Sequence, residues 1–184
     1  MKSRRAQLLE FAVLGLLHEG PTHGYDLRRR LNTALGPFRA LSYGTLYPAL
    51  RDLLDHGLIA ETTDPAGPSG RRPRVVYELT AAGKEHFAEL VARTDASAYD
   101  DDGFDVRFAF FARTERDVRL RILEGRRSRV EEDLERVREA ATRSRERLDA
   151  YTTALQRHGE ETTEREVRWL SELIDAERRH PTDP

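Results

Sequence analysis

Three apolar stripes at helical spacing occupy the first third of the chain, and each ends at a glycine. The breaks are the Gly-Pro pairs at 20–21 and 36–37 and the single Gly57. Apolar side chains three or four positions apart share one face of a helix, which glycine or proline then ends. Because the breaks are short, we expect three helices around one small core, with Thr22 as the N-cap of the second and with the third starting at Ser42. The predicted core residues are Leu9, Val13, Leu16, Leu17, Leu27, Leu31, Leu35, Leu46, Leu50, Leu53 and Leu54.

The pattern then changes from a helical to a strand-like one. Residues 58–62 read as a strand, and residues 74–79 alternate apolar and polar side chains. Between them, residues 64–73 consist mainly of proline, glycine and polar side chains. This arrangement predicts a β-hairpin with a long tip that carries arginines. Thr80 follows the second strand and is placed to cap a fourth helix.

The second half carries apolar residues at alternating steps of three and four, the 3.5-residue repeat typical of a coiled coil. The repeat predicts one helix over 115–158, ended by Gly159, and a last helix opened by a capping box over 163–166. The alternative is an interruption at Gly125, which would give a short helix and then a longer one. A stripe this narrow needs a partner in water, and the last helix is too short to cover it. We expect a second copy of the chain to be that partner; packing onto the first domain is the alternative. The expected dimerisation residues are Leu120, Leu123, Val130, Leu134, Val137, Leu148, Tyr151 and Leu155.

Three short helices followed by a hairpin form the winged helix-turn-helix pattern. In that fold the third helix enters the major groove, and the hairpin reaches the flanking backbone or the minor groove. The expected fold class is therefore mainly α with a small β-hairpin. We expect a winged helix-turn-helix domain over residues 1–93, a linker over 94–103 and a coiled-coil-like helical dimerisation domain over 104–184.

Composition excludes several classes of protein. Cysteine is absent, which rules out disulfides, thiolate catalysis and cysteine-bound zinc. No run reaches the ~18 to 20 apolar residues of a membrane helix, and the start of the chain lacks the apolar core of a signal peptide, so we expect a cytoplasmic protein. Residues 1–93 carry a net charge of +3 and residues 94–184 a net charge of −5. Contact with nucleic acid is therefore expected in the first domain only.

The predicted third helix has side chains that suit a DNA duplex. Opposite its leucines it presents hydroxyl groups and a guanidinium, which satisfy phosphate oxygens near a helix N-terminus. The hairpin tip adds guanidinium groups on a glycine-containing loop, which can follow a groove of negative potential. The candidate DNA-binding residues are His23, Tyr25, Ser42, Tyr43, Thr45, Tyr47, Pro48, Arg51, Arg71, Arg72 and Arg74.

Each of these assignments has a structural alternative. Tyr47 could cover the core, Arg51 could pair with Asp55 one helical turn later, and His23 could cap the second helix. The hairpin arginines could simply keep a loop soluble. Pro48 lies inside the third helix, where it removes one backbone hydrogen bond, so the helix either starts late or is distorted in its first turn.

Four segments, in this order and at this spacing, resemble the PadR family of transcriptional regulators. They are residues 21–27 (PTHGYDL), 41–50 (LSYGTLYPAL), 53–59 (LLDHGLI) and 77–83 (YELTAAG). The second half is similar to the long helical C-terminal domain of one PadR subfamily. The resemblance implies a homodimeric winged-helix regulator, usually a repressor, that leaves its operator DNA when a small effector binds. Phenolic acids and multidrug-like aromatic compounds are effectors of some members.

An effector site is a separate hypothesis. Aromatic side chains with a few polar groups suit small planar ligands, and several lie near the junction of the two domains or on the last helices. Packing at that junction is the alternative reading. The candidate effector residues are Phe104, Phe108, Phe111 and Trp169, with Tyr151 as a further aromatic residue.

The sequence therefore predicts a sequence-specific DNA-binding regulator that acts as a homodimer on a pseudo-palindromic operator. The alternative is a protein-interaction module that uses the winged-helix scaffold without DNA. An enzyme is not expected, because no nucleophile elbow, phosphate-binding glycine loop or catalytic triad can be read. No cofactor or metal site is expected either.

Overall fold

The computed structural model describes residues 3–35, 43–63, 75–144 and 149–179. The side chains of residues 35, 43, 44, 63, 143 and 144 are outside this description. The chain divides into two compact units. The first contains Met1–Arg93 and Asp105–Arg113, and the second contains Thr94–Phe104 and Thr114–Pro184. Within the described ranges, no helix is both long and apolar enough to cross a membrane.

The first unit is a winged helix-turn-helix with one strand more than expected. Strands β1, β2 and β3 form an antiparallel sheet in the order β1-β3-β2. Thr22 pairs with Tyr77 in this sheet, so the prediction that Thr22 caps the second helix was wrong. The elements are α1 (Arg4–Leu17), β1 (Thr22–His23), α2 (Gly24–Leu35), α3 (Tyr43–Asp55), β2 (Ile59–Thr63), β3 (Val75–Leu79) and α4 (Ala81–Ala92).

The predicted leucine core is confirmed. The stripes of α1, α2 and α3 converge, and their apolar side chains are almost fully removed from solvent, a burial that stabilises by about 1.5–3 kcal/mol per large side chain. Leu54 is half-buried, and the side chain of Leu35 lies outside the described residues. The most completely buried of the predicted residues are Val13, Leu27, Leu31, Leu46, Leu50 and Leu53; Leu14, which was not predicted, is fully buried as well.

Two close contacts attach α4 to the turn between α3 and β2. Thr80 caps α4 as predicted, because its Oγ1 accepts from the Gly83 amide at 3.0 Å and donates to the Gly57 carbonyl at 2.7 Å. Gly83 packs so close to the Leu58 carbonyl that a β-carbon there would lie 1.9 Å from the carbonyl oxygen. The start of α4 is therefore held against the end of α3 and the start of β2.

Residues 94–103 are folded rather than forming the expected linker. A 3₁₀ turn occupies Ala96–Ala98, and helix α5 runs over Asp101–Phe108. The Asp95 and Asp100 carboxylates accept from the amides of Ser97 and Gly103. Aspartates in this segment thus cap local structure, which composition alone could not distinguish from a solvated hinge. A second 3₁₀ turn follows at Phe111–Arg113.

The second unit contains two long antiparallel helices, and the predicted helix boundaries there were wrong. Helix α6 spans Arg116–Ser144 and α7 spans Ala150–Arg179. Asp149 directly precedes α7, and its carboxylate accepts from the amides of Tyr151 and Thr152 as an N-cap. Helix α7 continues through Gly159 and through the supposed capping box. It is therefore long enough to cover α6 within one chain, which removes the reason for requiring a second copy.

Candidate nucleic-acid interface

Helix α3 presents one buried and one exposed face. Leu46 and Leu50 lie in the core, while Tyr47, Pro48 and Arg51 are exposed and Thr45 is half-buried. Tyr47 is 40% exposed and is therefore not a core aromatic. The outward face is thus the polar one, as the leucine spacing requires.

Two questions about α3 are resolved by its geometry. The helix starts at Tyr43 and contains Pro48, so the proline lies inside it and cannot donate to the carbonyl four residues earlier. Arg51 and Asp55 form no ion pair in the part of the chain that the structure describes, and both are exposed. The guanidinium of Arg51 is therefore not committed to that neighbour.

A pocket of about 560 Å³ brings α3 together with the start of α2 and the strand β3. It collects three of the residues singled out from the sequence, His23, Tyr25 and Tyr47, and Tyr25 is 65% exposed. The His23 Nδ1 lies 3.4 Å from the Val75 carbonyl oxygen, a long contact between β1 and β3. The full lining is His23, Gly24, Tyr25, Asp26, Tyr47, Val75 and Tyr77.

Tyr77 forms one wall of this pocket and was not singled out from the sequence. It is 6% exposed, and its hydroxyl donates to the Glu61 carboxylate on the neighbouring strand. Burial, the negative charge of Glu61, this hydrogen bond and the nearby Tyr47 raise the pKa of Tyr77 to about 12. The phenol therefore stays protonated at neutral pH and keeps its role as a donor.

The outward face of α2 adds basic residues that sequence reasoning missed. Tyr25, Arg28, Arg29, Asn32 and Thr33 surround a shallow depression of about 370 Å³. The Arg29 guanidinium pairs with the Asp26 carboxylate at 3.5 Å; the Arg29 side chain is largely in solvent and the Asp26 side chain is half-buried. The signal was available, since these positions repeat every three or four residues opposite the buried leucines of α2.

Several predicted contacts lie outside the described residues. Ser42 and the hairpin arginines Arg71, Arg72 and Arg74 belong to this group. Tyr43 begins α3, but its side chain is not described. Their proposed contacts stay predictions.

The predicted dimerisation residues occupy two different environments. Leu123, Val130 and Leu134 on α6 are buried within one chain, and Leu120 and Val137 are half-buried. On α7, by contrast, Tyr151 is 88% exposed and Leu155 is 70% exposed. Leu148 lies outside the described residues.

The candidate effector residues form two separate ring pairs. In the second unit, Phe104 is buried and meets Trp169 edge-on, with ring centres 6.1 Å apart. In the first unit, Phe108 and Phe111 are half-buried and pair at 5.0 Å. Each pair is explained by packing in its own unit, so neither requires a ligand.

Comparison with known proteins identifies the first unit. Residues 13–89 match the model of the transcriptional regulator PadR-like family. The negative transcriptional regulator PadR of Bacillus subtilis (strain 168) is 32% identical over 87 residues, which are 47% of this chain and 47% of that protein. The matched region thus spans about half the length of this curated relative.

Solved structures give the same family name. A PadR-like transcription factor from Bacteroides fragilis is 30% identical over 47% of this chain and 79% of its own, with a TM-score of 0.42. Bacillus subtilis PadR in complex with operator DNA covers 92% of this chain and 98% of its own at 21% identity, with a TM-score of 0.44. The same protein has been solved with p-coumaric acid, at 20% identity over 93% of this chain and 99% of its own and a TM-score of 0.42. From the family match and the sequence identity of its first unit, this chain belongs to the PadR-like family of transcriptional regulators.

Proposed function

We propose that this chain is a sequence-specific DNA-binding repressor, a homodimer that occupies a pseudo-palindromic operator and leaves it when a small effector binds. The observation that carries the proposal is the outward face of α3. There Tyr47 and Arg51 are exposed beside a pocket that also contains His23 and Tyr25. Hydroxyl, imidazole and guanidinium groups on one surface are the donors that phosphate oxygens and base edges accept from.

In this proposal α3 enters the major groove with Thr45 and Arg51 nearest the bases. Arg71, Arg72 and Arg74 of the hairpin approach the flanking backbone or minor groove. An arginine can make a bidentate contact with guanine, which gives specificity, whereas phosphate contacts position the domain without reading sequence. We therefore expect Thr45 and Arg51 to affect sequence specificity, and the hairpin arginines to affect the affinity for every duplex.

Two molecules are needed to read a pseudo-palindrome. The exposed pair Tyr151 and Leu155 supports an interface on α7, since these large apolar side chains lie one helical turn apart and mostly in solvent. The buried residues of α6 support it less, because their burial is complete within one chain. The dimer contact is therefore proposed for the first turns of α7.

The effector part of the proposal has its support in the family rather than in a cavity. A family member has been solved with p-coumaric acid. In this chain, the Phe104–Trp169 pair offers an aromatic surface, with Trp169 40% exposed. An aromatic ligand at that surface would be detected through the fluorescence of the single tryptophan.

A protein-interaction module without DNA binding is the second candidate. It is favoured by the small net charge of −2 for the whole chain and by the acidic second half. The two candidates differ in one measurable property, the affinity for duplex DNA.

Fluorescence anisotropy with a labelled duplex from the chain's own promoter region tests the proposal directly. Binding is expected to be tightest at low salt and to exceed that of a scrambled duplex, because phosphate contacts release counterions and base contacts add discrimination. Arg71→Glu with Arg72→Glu is expected to weaken both duplexes alike. Thr45→Ala and Arg51→Ala are expected to lower the ratio between operator and scrambled duplex.

A charge-matched control distinguishes local contact from overall charge. Arg129 and Arg136 are exposed on α6, and reversing both changes the net charge as much as the hairpin double variant does. This control is expected to retain DNA binding. Absence of any binding by the unmodified chain at low salt contradicts the proposal and leaves the interaction module.

The homodimer has its own test. Sedimentation is expected to show a dimer for the unmodified chain and a monomer for Tyr151→Glu with Leu155→Glu, since a buried carboxylate opposes association. Gln156→Glu, a change in the same helix region at a half-buried polar position, serves as the control for added negative charge. A dimer that survives the double substitution places the interface elsewhere.

A further inference from the structure

The Tyr47 hydroxyl lies in a space that is bordered on one side by the backbone of Gly24. A methyl group added at Gly24 would lie 3.5 Å from the Tyr47 hydroxyl oxygen and 3.3 Å from Cε2 of Tyr77. The two glycines with positive φ among the described residues are Gly20 and Gly57, so Gly24 is not required for its backbone conformation. Its missing side chain instead leaves room where the two tyrosines approach.

Tyr77 is the fixed side of this space. It lies on β3, the middle strand, where it is paired with Thr22 of β1 on one side and with Glu61 of β2 on the other. Only 6% of its surface is exposed, and its hydroxyl donates to the Glu61 carboxylate. Pairing on both sides, burial and a charged acceptor together hold the ring in place.

Tyr47 is the adjustable side. It is carried by α3, is 40% exposed, and comes close enough to Tyr77 that its hydroxyl contributes to the raised pKa of that residue. An exposed phenol normally samples several rotamers, and ordering it costs free energy when it binds a partner. The backbone of Gly24 and the ring of Tyr77 border this phenol and restrict the rotamers that it can sample.

We propose that Gly24, Tyr77 and Glu61 are positioning residues that hold the Tyr47 hydroxyl in the orientation in which it contacts the operator backbone. The inference rests on the proposed DNA-binding function and deepens it, because it assigns a role to three residues that need not touch DNA. The sheet thereby sets the position of a side chain on the recognition helix.

The test is a pair of double-mutant cycles with Tyr47→Phe, measured by anisotropy on the operator duplex with the full chain. Tyr47→Phe and Gly24→Ala are each expected to weaken operator binding about fivefold to tenfold, the loss of roughly one hydrogen bond. The double variant is expected to bind as Tyr47→Phe does, because Gly24→Ala acts through a hydroxyl that is already absent. Additive losses overturn the inference.

A merely structural role predicts a different result for Gly24→Ala. Alanine favours helix over glycine at the start of α2, which offsets the tight 3.3 Å contact of its methyl group with Tyr77. The variant is therefore expected to be about as stable as the unmodified chain while binding the operator more weakly. Gly159→Ala in α7 is the matched control, since a methyl group there meets nothing within 4 Å. It is expected to leave operator affinity unchanged. If Gly24→Ala is less stable than the unmodified chain and its loss of operator affinity is explained by that lower stability, the inference is overturned.

The second cycle combines Tyr47→Phe with Tyr77→Phe and with Glu61→Ala and tests the hydrogen bond between the strands. Each double variant is expected to bind as Tyr47→Phe does. Tyr77→Phe and Glu61→Ala are expected to weaken operator binding about threefold to tenfold, and Glu61→Gln to restore it, because an amide oxygen still accepts from the Tyr77 hydroxyl. Removing a carboxylate near DNA also strengthens binding to every duplex. The affinity is therefore expressed as the ratio of operator to scrambled duplex.

The outcomes separate this inference from the function on which it depends. If the unmodified chain binds no duplex, the proposed function fails and the inference fails with it. If the chain binds its operator but Tyr47→Phe has no effect, or Glu61→Gln behaves like Glu61→Ala, the function stands and the inference is overturned.

Discussion

Arg126 of α6 donates to one carboxylate oxygen of Glu166 on α7 through two nitrogens, Nε at 2.9 Å and Nη2 at 2.7 Å. Its third nitrogen, Nη1, donates to Asp101 at 2.5 Å, and the guanidinium lies 5.5 Å from the centre of the Phe104 ring. Burial alone lowers the pKa of Arg126, but the hydrogen bonds to Asp101 and Glu166 outweigh it, and the pKa is raised. One side chain therefore joins α5, α6 and α7.

Arg126→Ala is expected to destabilise the second unit by about 2–4 kcal/mol, since it leaves two carboxylates without their cation and a gap beside Phe104. Urea unfolding followed by the fluorescence of Trp169 measures the change, because that residue packs on Phe104. Arg136→Ala is the control, as Arg136 pairs with Asp133 on the same helix but is 73% exposed. The control is expected to cost less than about 0.5 kcal/mol. Equal losses of unfolding free energy in Arg126→Ala and Arg136→Ala would contradict this prediction, because burial of the Arg126–Glu166 ion pair would then make no difference.

Gly83→Ala is expected to destabilise the first unit by about 3 kcal/mol or more. A β-carbon at this position lies 1.9 Å from the Leu58 carbonyl oxygen, so α4 has to move away from a backbone atom that cannot rotate aside. Thermal unfolding followed by circular dichroism measures the change. A loss below about 1 kcal/mol, the range of ordinary substitutions, would mean that α4 is not held as closely as the structure places it.

Gly159→Ala is expected to stabilise the second unit by about 0.5–1 kcal/mol. The glycine lies inside α7, a methyl group there meets nothing within 4 Å, and alanine loses less backbone entropy in a helix. Urea unfolding followed by Trp169 fluorescence measures the gain. If a helix ended at Gly159, as the sequence predicted, the substitution would remove a favourable end residue and destabilise the chain instead.

The helices of the first unit could be predicted from the sequence because the spacing of apolar residues repeats several times along each helix. The leucines at positions 27, 31, 46 and 50 indicate which faces of α2 and α3 are buried. Strand β1 could not be predicted in this way, because two residues are too few to show an alternating pattern. Its pairing also depends on Tyr77, which is more than fifty positions away in the sequence. The pairing of distant segments is tertiary information that local patterns do not contain.

The second unit shows how a tertiary contact overrides a local signal. Gly159 followed by a capping box is a strong helix boundary in sequence terms. In the structure, however, Arg138 donates to Glu160 at 3.0 Å and to Glu164 at 2.7 Å, on both sides of the expected start of the last helix. The Thr163 hydroxyl, expected to cap, donates to the Gly159 carbonyl inside the helix. The free-energy cost of one glycine inside α7 is small compared with the stabilisation from a continuous helix face that packs on α6.

The candidate site was predictable only in part for the same reason. The outward direction of Tyr47 follows from the leucines on the opposite side of its helix. The role of Tyr77 does not, because alternation in β3 marks it only as an inward strand residue. Its hydrogen bond to Glu61 depends on the register of β2 with β3, which the sequence of a long hairpin tip does not specify.

Asp149 gives the chain a pH-dependent helix cap. Its carboxylate accepts from the Thr152 hydroxyl at 2.7 Å and from the amides of Thr152 and Tyr151 at 3.0 and 2.9 Å. The bond from the Thr152 hydroxyl contributes most, followed by the two amides, and together they lower the pKa of Asp149 below its ordinary value of 3.8. The unfolded chain therefore binds this proton more readily than the folded chain does.

The sign of the effect follows from linkage. The stabilisation by Asp149 is complete above its unfolded pKa of 3.8 and is lost as the pH falls through the lower folded value. Asp149→Ala is therefore expected to be less stable than the unmodified chain above about pH 5, and the difference is expected to shrink below the ordinary value. Urea unfolding by Trp169 fluorescence between pH 2.5 and 7, in steps of about half a unit, measures it.

Two further variants make this prediction specific. Thr152→Val removes the hydroxyl that contributes most, so an NMR titration is expected to show the pKa of Asp149 moved back towards its ordinary value. Glu172→Ala removes the same charge from an exposed position within α7, where no helix end needs a cap. A stability difference between Asp149→Ala and the unmodified chain that stays constant across this pH range would contradict the assignment, because the benefit would then not come from the ionised carboxylate.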